Sequence, residues 1–335
     1  MTDLFIGGYF SLELNDGGER YADAIKLNAG RYALEFILRG RKYRKVLLPY
    51  YICDSVLQPL VRLNIAYEFY HINEQLEPAS KLYIREDEAV LYVNYFGLKN
   101  RFVDSFCLAF RNTILDNTQA FYSEPGNKVY ENAIQCDTFY SCRKFFGVSD
   151  GAYLYTNCDI GQDLPQDESF ERMTFLTKRI DRSPMDGYAD FRANDKAFSN
   201  VGMRRMSRLT ESIMQGIDYE EKANRRIQNF KLLDDALRNI NYFKWDIAPG
   251  TIPMVYPLYV KNGAELRQKL IDNHVFCARY WPNVLEWCRS SDWEYQLSEN
   301  LICLPIDQRY GMKEMERIID LIKGLSLSLN LDLGL

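Results

Sequence analysis

Four short segments of this 335-residue chain bring together residue types that can do chemistry. Asn28-Ala29-Gly30-Arg31-Tyr32-Ala33-Leu34 reads as the opening of a helix. A glycine in that first turn lets backbone N–H groups and the helix dipole face an anion; a plain helix start is the bland alternative. Leu115-Asp116-Asn117-Thr118-Gln119 follows a short apolar run and delivers a carboxylate at the end of a predicted strand. Asp116 is then placed to meet a cationic ring nitrogen and hold it protonated, because an adjacent opposite charge favours the charged form. Gln119 can reach the same ligand with its amide, while in isolation Asp116 serves equally well as a turn cap. Phe139-Tyr140-Ser141-Cys142-Arg143-Lys144-Phe145-Phe146-Gly147 sets a lysine among aromatics. Desolvation there would lower its pKa and expose a nucleophilic amine for Schiff-base chemistry. Ser141 can donate its hydroxyl to a phosphate. A lone lysine is by default a solvated charge, so the company it keeps carries the reading. The fourth segment pairs Arg279-Tyr280-Trp281-Pro282 with Leu304-Pro305-Ile306-Asp307, and both also read as purely structural closing elements.

These segments need elements to hold them. In the first half, short β-rich runs alternate with helical stretches: Val46–Leu48, Ile65–His71, Ala89–Phe96, Thr113–Leu115, Thr138–Tyr140 and Ala152–Tyr155. Helices fit Arg31–Arg39 and Asp54–Leu63. Such alternation predicts an α/β sandwich with a mostly parallel sheet, whose ligands bind outside the carboxyl ends of the strands. Residues 159–200 are polar and rich in turn formers and read as a surface excursion. A long helix is predicted from about Met203 to Asn239, followed by a break at Pro249-Gly250. A strand over Met254–Val260, a helix over Gly263–Asn273, a run Leu301–Leu304 and a helix over Lys313–Lys323 make a smaller α+β unit. In that last helix Met315, Ile318, Ile319 and Ile322 share a face. The leucine-rich tail, Leu325–Leu335, fits either an added edge strand or a disordered end. The length suits two domains, at roughly 100–200 residues each. We place them at 1–240, a large α/β domain, and 241–335, a small α+β domain.

Together the segments resemble the DegT/DnrJ/EryC1/StrS family of sugar aminotransferases, pyridoxal-phosphate enzymes of fold type I. The resemblance runs from about residue 27 to 323. Asn28 to Leu34 match that family's phosphate turn, and Leu48-Pro49-Tyr50-Tyr51 match its proline-led strand end. Val93-Asn94-Tyr95-Phe96-Gly97 match a Val-His-x-x-Gly stretch, and Asp116 to Gln119 its aspartate motif. Tyr140 to Lys144 with Asp150-Gly151 match its lysine segment, Arg205-Met206-Ser207 an Arg-Met-Ser segment, and Leu304 to Ile306 its closing motif. The resemblance implies a seven-stranded, mostly parallel sheet between helices, pyridoxal 5′-phosphate as cofactor, and a homodimer. It implies that Lys144 carries the cofactor and then moves the substrate proton, and that Asp116 keeps the pyridine nitrogen protonated. Ala29, Gly30, Arg31 and Ser141 would hold the phosphate, and Gln119 would lie near the ring. Tyr51, Tyr95 and Arg279 are the candidate substrate contacts.

Three positions depart from the pattern. Arg31 stands where threonine is usual, exchanging a hydroxyl for a cation. Cys53 takes the place of the aromatic that stacks on the ring, so Tyr50, Tyr51 or Tyr95 would have to compensate. Met203 takes the place of an asparagine that reaches the partner's phosphate. The implied reaction moves an amino group, from glutamate, to a keto sugar carried on a nucleotide, for a surface polysaccharide or glycoside. Two alternatives stay open: a catalytically altered homologue with a regulatory or scaffold role, and a different pyridoxal-phosphate reaction such as elimination or dehydration.

Composition narrows the field further. Forty-one basic against 46 acidic residues give a net charge of −5, which leaves no excess to condense on phosphate backbones and argues against a nucleic-acid partner. No apolar run reaches the roughly 18–20 residues of a membrane span, and no export signal opens the chain. Eight cysteines without a CxxC pair read as reduced thiols in the cytoplasm. Two histidines leave few ligands for a metal site, and none is expected.

Overall fold

Branched and aromatic runs separated by helical stretches fold into one seven-stranded sheet. The computed structural model describes residues 6–126 and 135–328. The sheet-forming part runs β1 (Ile25–Leu27), α1 (Gly30–Arg41), β2 (Lys45–Pro49), α2 (Leu57–Arg62), β3 (Ala66–Tyr70), β4 (Glu88–Val93), α3 (Asn100–Ala109), β5 (Asn112–Asp116), β6 (Gln135–Ser141) and β7 (Ala152–Tyr155). Helices α4 (Thr174–Asp181), α5 (Tyr188–Ala197), α6 (Arg208–Gln215) and α7 (Tyr219–Leu237) follow. The chain then continues through β8 (Val255–Tyr259), α8 (Gly263–Asp272), α9 (Trp293–Asn300), β9 (Leu301–Pro305) and α10 (Met312–Ser328).

The strand order is β1-β7-β6-β5-β4-β2-β3. From β3 to β6 every pairing is parallel, while β7 runs antiparallel to both β6 and β1. The expected mostly parallel sheet is present. Strand β4, Glu-Ala-Val-Leu-Tyr-Val, is buried throughout, as a strand covered on both faces must be. Its one carboxylate, Glu88, is matched by Arg44 at 2.7 Å and Lys45 at 3.4 Å. Edge strand β3 leaves Ala66, Tyr67 and Glu68 exposed. Register positions the chemistry: Val93 lies opposite Asp116, and Asp116 opposite Phe139. The carboxyl ends of β4, β5 and β6 therefore open at one level, where such sheets take ligands.

Strand β4 stops at Val93, short of the predicted Phe96, because the backbone turns sharply there. Phe96 adopts φ 58° and Gly97 φ 73°. A Cβ at Gly97 would lie 3.0 Å from the carbonyl oxygen of Ile252 and 3.2 Å from that of Gln119. Both neighbours are backbone and cannot swing away. Gly97→Ala is expected to cost about 2–3 kcal/mol, seen as a lower denaturant midpoint at unchanged slope.

Three sequence expectations need correction. Residues 159–200 are not a bare surface excursion, since α4 and α5 lie within them. These helices form because Phe175 and Phe191 meet at 5.6 Å between ring centroids, and because the buried Asn194 donates to the Ser149 carbonyl at 2.8 Å. The predicted Met203–Asn239 helix is two helices after an extended start. Ser207 caps α6 by accepting from the Thr210 N–H, and Asp218 caps α7 by accepting from the Glu221 N–H, so each side chain restarts the helix where periodicity reads as continuous. The last helix also runs on through Leu325 to Ser328, in place of a strand or disorder at that point; residues 329–335 of the tail lie outside the described residues.

The smaller unit is built on the antiparallel pair β8–β9. Its core joins Tyr256, Leu258, Ile302 and Leu304 to Leu266 and Leu270 of α8 and to Met315, Ile318 and Ile322 of α10, with Ile319 packed beside them. Phe230, Leu233 and Leu237 of α7 enter the same core. Helix α7 thus connects the two parts by packing as well as by chain.

Candidate active site

Asp116 is the last residue of β5, and Lys144 ends a single 3₁₀ turn directly after β6. Parallel pairing brings the two strand ends side by side. Thr118 joins them: its hydroxyl accepts from the Lys144 ammonium at 2.9 Å, and its N–H donates to Asp116 Oδ1 at 2.8 Å. Asp116 is 6% exposed. Burial raises its pKa, opposed by the Lys144 ammonium and by the Thr118 hydrogen bond. Acid and amine therefore meet on one residue, Thr118, between the two strand ends.

Lys144 itself is exposed, contrary to the expectation that its aromatic neighbours desolvate it. Phe145 and Phe146 turn away and pack against Phe121. Alternate residues after a tight turn point apart, so sequence adjacency to aromatics does not place an amine among them.

The first turn of α1 borders Thr118 and Phe139. A Cβ on Gly30 would sit 3.3 Å from Thr118 Cγ2 and 3.8 Å from the Phe139 ring. Ala29 occupies the N-cap, no side chain accepts from the leading N–H groups, and the turn contains no acidic residue. The helix end is left positive and open. Arg31 donates to Gln58 Oε1 at 2.7 Å. Arg143, beside Lys144, stacks its guanidinium 4.7 Å from the centroid of Phe198 and pairs with Asp195 at 3.1 Å; burial draws its pKa down, with Asp195 opposing and Arg31 adding to the decrease. Ser141 ends β6 nearly buried.

Neighbouring motifs serve as supports. Asn28 donates to the Gly202 carbonyl at 3.0 Å and accepts from the Arg204 N–H at 3.2 Å. The fully buried Asp150 accepts from the Ser207 N–H at 2.8 Å and hydroxyl at 2.7 Å, and from the Thr210 hydroxyl. This network ties the Asp150-Gly151 and Arg-Met-Ser segments together. Met203 packs on Ala29, Tyr32 and Phe198 within the same chain.

The remaining candidates fall in different places. Gln119 is buried, and its amide oxygen accepts from the Phe96 N–H at 3.0 Å. Cys53 is partly buried; burial raises its thiol, opposed by hydrogen bonds at Ser55 and by the charge of Lys144. Tyr50 stacks on Phe69 at 4.8 Å. Tyr51 and Tyr95 are core residues, 0% and 2% exposed. The Tyr95 hydroxyl donates to the Tyr51 carbonyl at 2.8 Å, and Tyr51 packs edge-on to Trp281 at 5.1 Å. The proline-led strand end and the Asn94 turn bury these rings where the resemblance implies substrate contacts. Arg279 is half-buried and paired with Glu299 at 3.3 Å. Thr118 is the residue that sequence reading passed over. Its signal was its place between Asp116 and Gln119.

The described residues contain no helix long and apolar enough to cross a membrane. No family model matches the chain, and no curated protein matches it in sequence. Solved structures do match, and aminotransferases are among them. TlmJ from Streptoalloteichus hindustanus, an aminotransferase, is 15% identical, with 92% of this chain and 86% of that one covered at a TM-score of 0.63. A DegT DnrJ EryC1 StrS aminotransferase from Brucella abortus is 15% identical, covering 90% and 85% at 0.56. NtdA from Bacillus subtilis, solved with its bound cofactor PMP, is 13% identical, covering 91% and 73% at 0.60. The chain has the fold of these proteins.

Proposed function

We propose that this protein is a pyridoxal-phosphate-dependent aminotransferase of the DegT/DnrJ/EryC1/StrS family. It would move an amino group, with glutamate as donor, to a keto sugar carried on a nucleotide. The observation that carries the proposal is the meeting of Lys144 and Asp116 through Thr118, beside the uncapped first turn of α1. The residues fit the cofactor at each end. A buried carboxylate with no ion pair among the described residues suits a cationic ring nitrogen, and an open helix end with Gly30 and Arg31 suits a phosphate.

When bound, the cofactor supplies an aldehyde and an electron-withdrawing ring. Lys144 would hold the cofactor through its amine and, once released, carry the proton between the substrate carbon and the cofactor. Asp116 would keep the ring nitrogen protonated. The N–H groups of Gly30 and Arg31, the Arg31 guanidinium and the Ser141 hydroxyl would bind phosphate, with Ala29 holding the turn free of a competing cap. Cys53 would border the ring, and Gln119 would shape the pocket floor through Phe96. Arg279 is the substrate contact we retain; Tyr51 and Tyr95 would shape the pocket from behind.

The further parts of this reading follow the family resemblance. They are a homodimer, a cytoplasmic setting, a role in surface polysaccharide or glycoside formation, and a large domain over 1–240 joined to a small one over 241–335. The test is the spectrum of protein incubated with pyridoxal phosphate, before and after borohydride. We expect a visible band that borohydride bleaches, and a cofactor-sized mass fixed to the peptide containing Lys144. Modification spread over surface lysines would overturn the proposal.

A further inference from the structure

Arg226 is 1% exposed, and among the described residues no carboxylate lies within ion-pair distance of it. An unpaired buried guanidinium is costly unless its N–H groups are all put to use. Here three of the five are spent on three separate parts of the chain. Nη1 donates to the Met254 carbonyl at 2.9 Å, just before β8. Nε donates to Gln308 Oε1 at 3.1 Å, in the loop after β9. Nη2 donates to the Phe145 carbonyl at 3.4 Å, and the guanidinium lies 4.6 Å from the Phe145 ring centroid.

The Phe145 carbonyl is the first peptide oxygen after Lys144, and it has a second donor. Gln308 Nε2 reaches it at 2.6 Å. One turn along α7, Asn229 donates to the carbonyls of Ile306 and Tyr310, each at 3.0 Å. That pins the loop carrying Gln308. The other end of the chain of contacts also leads to the site: the Met254 N–H donates to the Phe96 carbonyl at 2.8 Å, and the Phe96 N–H donates to Gln119.

We infer that Arg226 and Gln308 are positioning residues for Lys144: from helix α7 and from the loop after β9 they clamp the backbone that follows the lysine, and so fix where its amine stands against Thr118 and Asp116. Neither touches the reacting atoms. The inference deepens the proposed function and rests on it for the role of Lys144. The clamp itself is a property of the protein without cofactor.

The experiment uses the full chain with Gln308→Met, which keeps side-chain length and removes the donor. In the apoprotein, trace acetylation with acetic anhydride is read by mass spectrometry as the ratio of Lys144 to the exposed Lys313. We expect the ratio to rise about fivefold, the equivalent of one net hydrogen bond lost, because the amine is no longer held on Thr118. In protein loaded with pyridoxal phosphate, the fraction fixed to Lys144 by a short borohydride pulse is expected to fall about tenfold, as for a misplaced reacting group. If Gln308→Met does not fold, Arg226→Lys, which keeps the charge and loses the planar fork, is expected to give the same two changes. Unchanged acetylation and trapping in a folded variant would overturn the inference. Should wild-type protein fix no cofactor on Lys144, the proposed function fails, while the acetylation ratio still decides whether the clamp acts on the lysine.

Discussion

Replacing Lys144 with alanine is expected to abolish borohydride-fixed cofactor and to lower turnover by roughly 10³-fold or more, with the fold unchanged. Two facts separate the chemical from the structural effect. The side chain is exposed, and its hydrogen-bond partner is the Thr118 hydroxyl. Removing such a group changes stability by about 0.5 kcal/mol or less, so the melting temperature should hold while activity vanishes. Asp116 also loses the cation that steadies its charge, so the apoprotein variant should bind pyridoxal phosphate without fixing it. The same variant addresses the regulatory alternative. A protein whose biological role survives Lys144→Ala acts through its surface and not through its amine. Loss of that role together with loss of turnover leaves the enzyme.

Much of this arrangement is legible in the chain because parallel strands are self-announcing. Runs such as Val46–Leu48 and Ala89–Val93 are apolar without alternation, so both faces must be covered, and their order fixes which ends gather. Asp116, Lys144 and Gly30 lie at strand ends or at a helix start, but position alone left each with a bland alternative; their occurrence together, in order, made them legible. What was not legible depends on direction and on long-range partners. The aromatic residues following Lys144 look like a desolvating cage in sequence, yet the 3₁₀ turn aims them at Phe121 and leaves the amine outside. The tyrosines at 51 and 95 look like ligand contacts, yet the proline-led end of β2 and the turn at Phe96 carry their rings into the core. Strand β1 has three residues and becomes a strand by pairing with β7, a contact more than a hundred positions away. Arg226 reads as one of many charges on a polar helix. Its burial and its hold on Phe145 exist only once β8, β9 and the lysine turn have come together.

Asp116→Asn should separate the cost of the site from its use. The substitution preserves shape and removes the charge. With the proposed cofactor bound, the ring nitrogen then loses the carboxylate that keeps it protonated, and turnover is expected to fall roughly 10²–10³-fold, the scale for one preorganised electrostatic partner. Stability should move the other way in the apoprotein. Burial holds the Asp116 pKa above its value in the unfolded chain, so the folded state binds the extra proton across the window between the two values. There the unfolded state binds fewer protons, and stability falls as pH rises. Above the folded value the penalty of a buried charge is present in full; below the unfolded value it is gone. The amide of the variant carries no such penalty. Thermal melts of the two apoproteins should therefore show Asp116→Asn more stable by a few degrees at neutral pH, with the gap closing as pH drops through the carboxylate range. Saturating pyridoxal phosphate should reverse the order, since ligand that binds the native state more tightly raises its stability more. A pH-independent gap, or a less stable variant at neutral pH, would mean that the carboxylate is already compensated in the empty pocket and is not waiting for a cation.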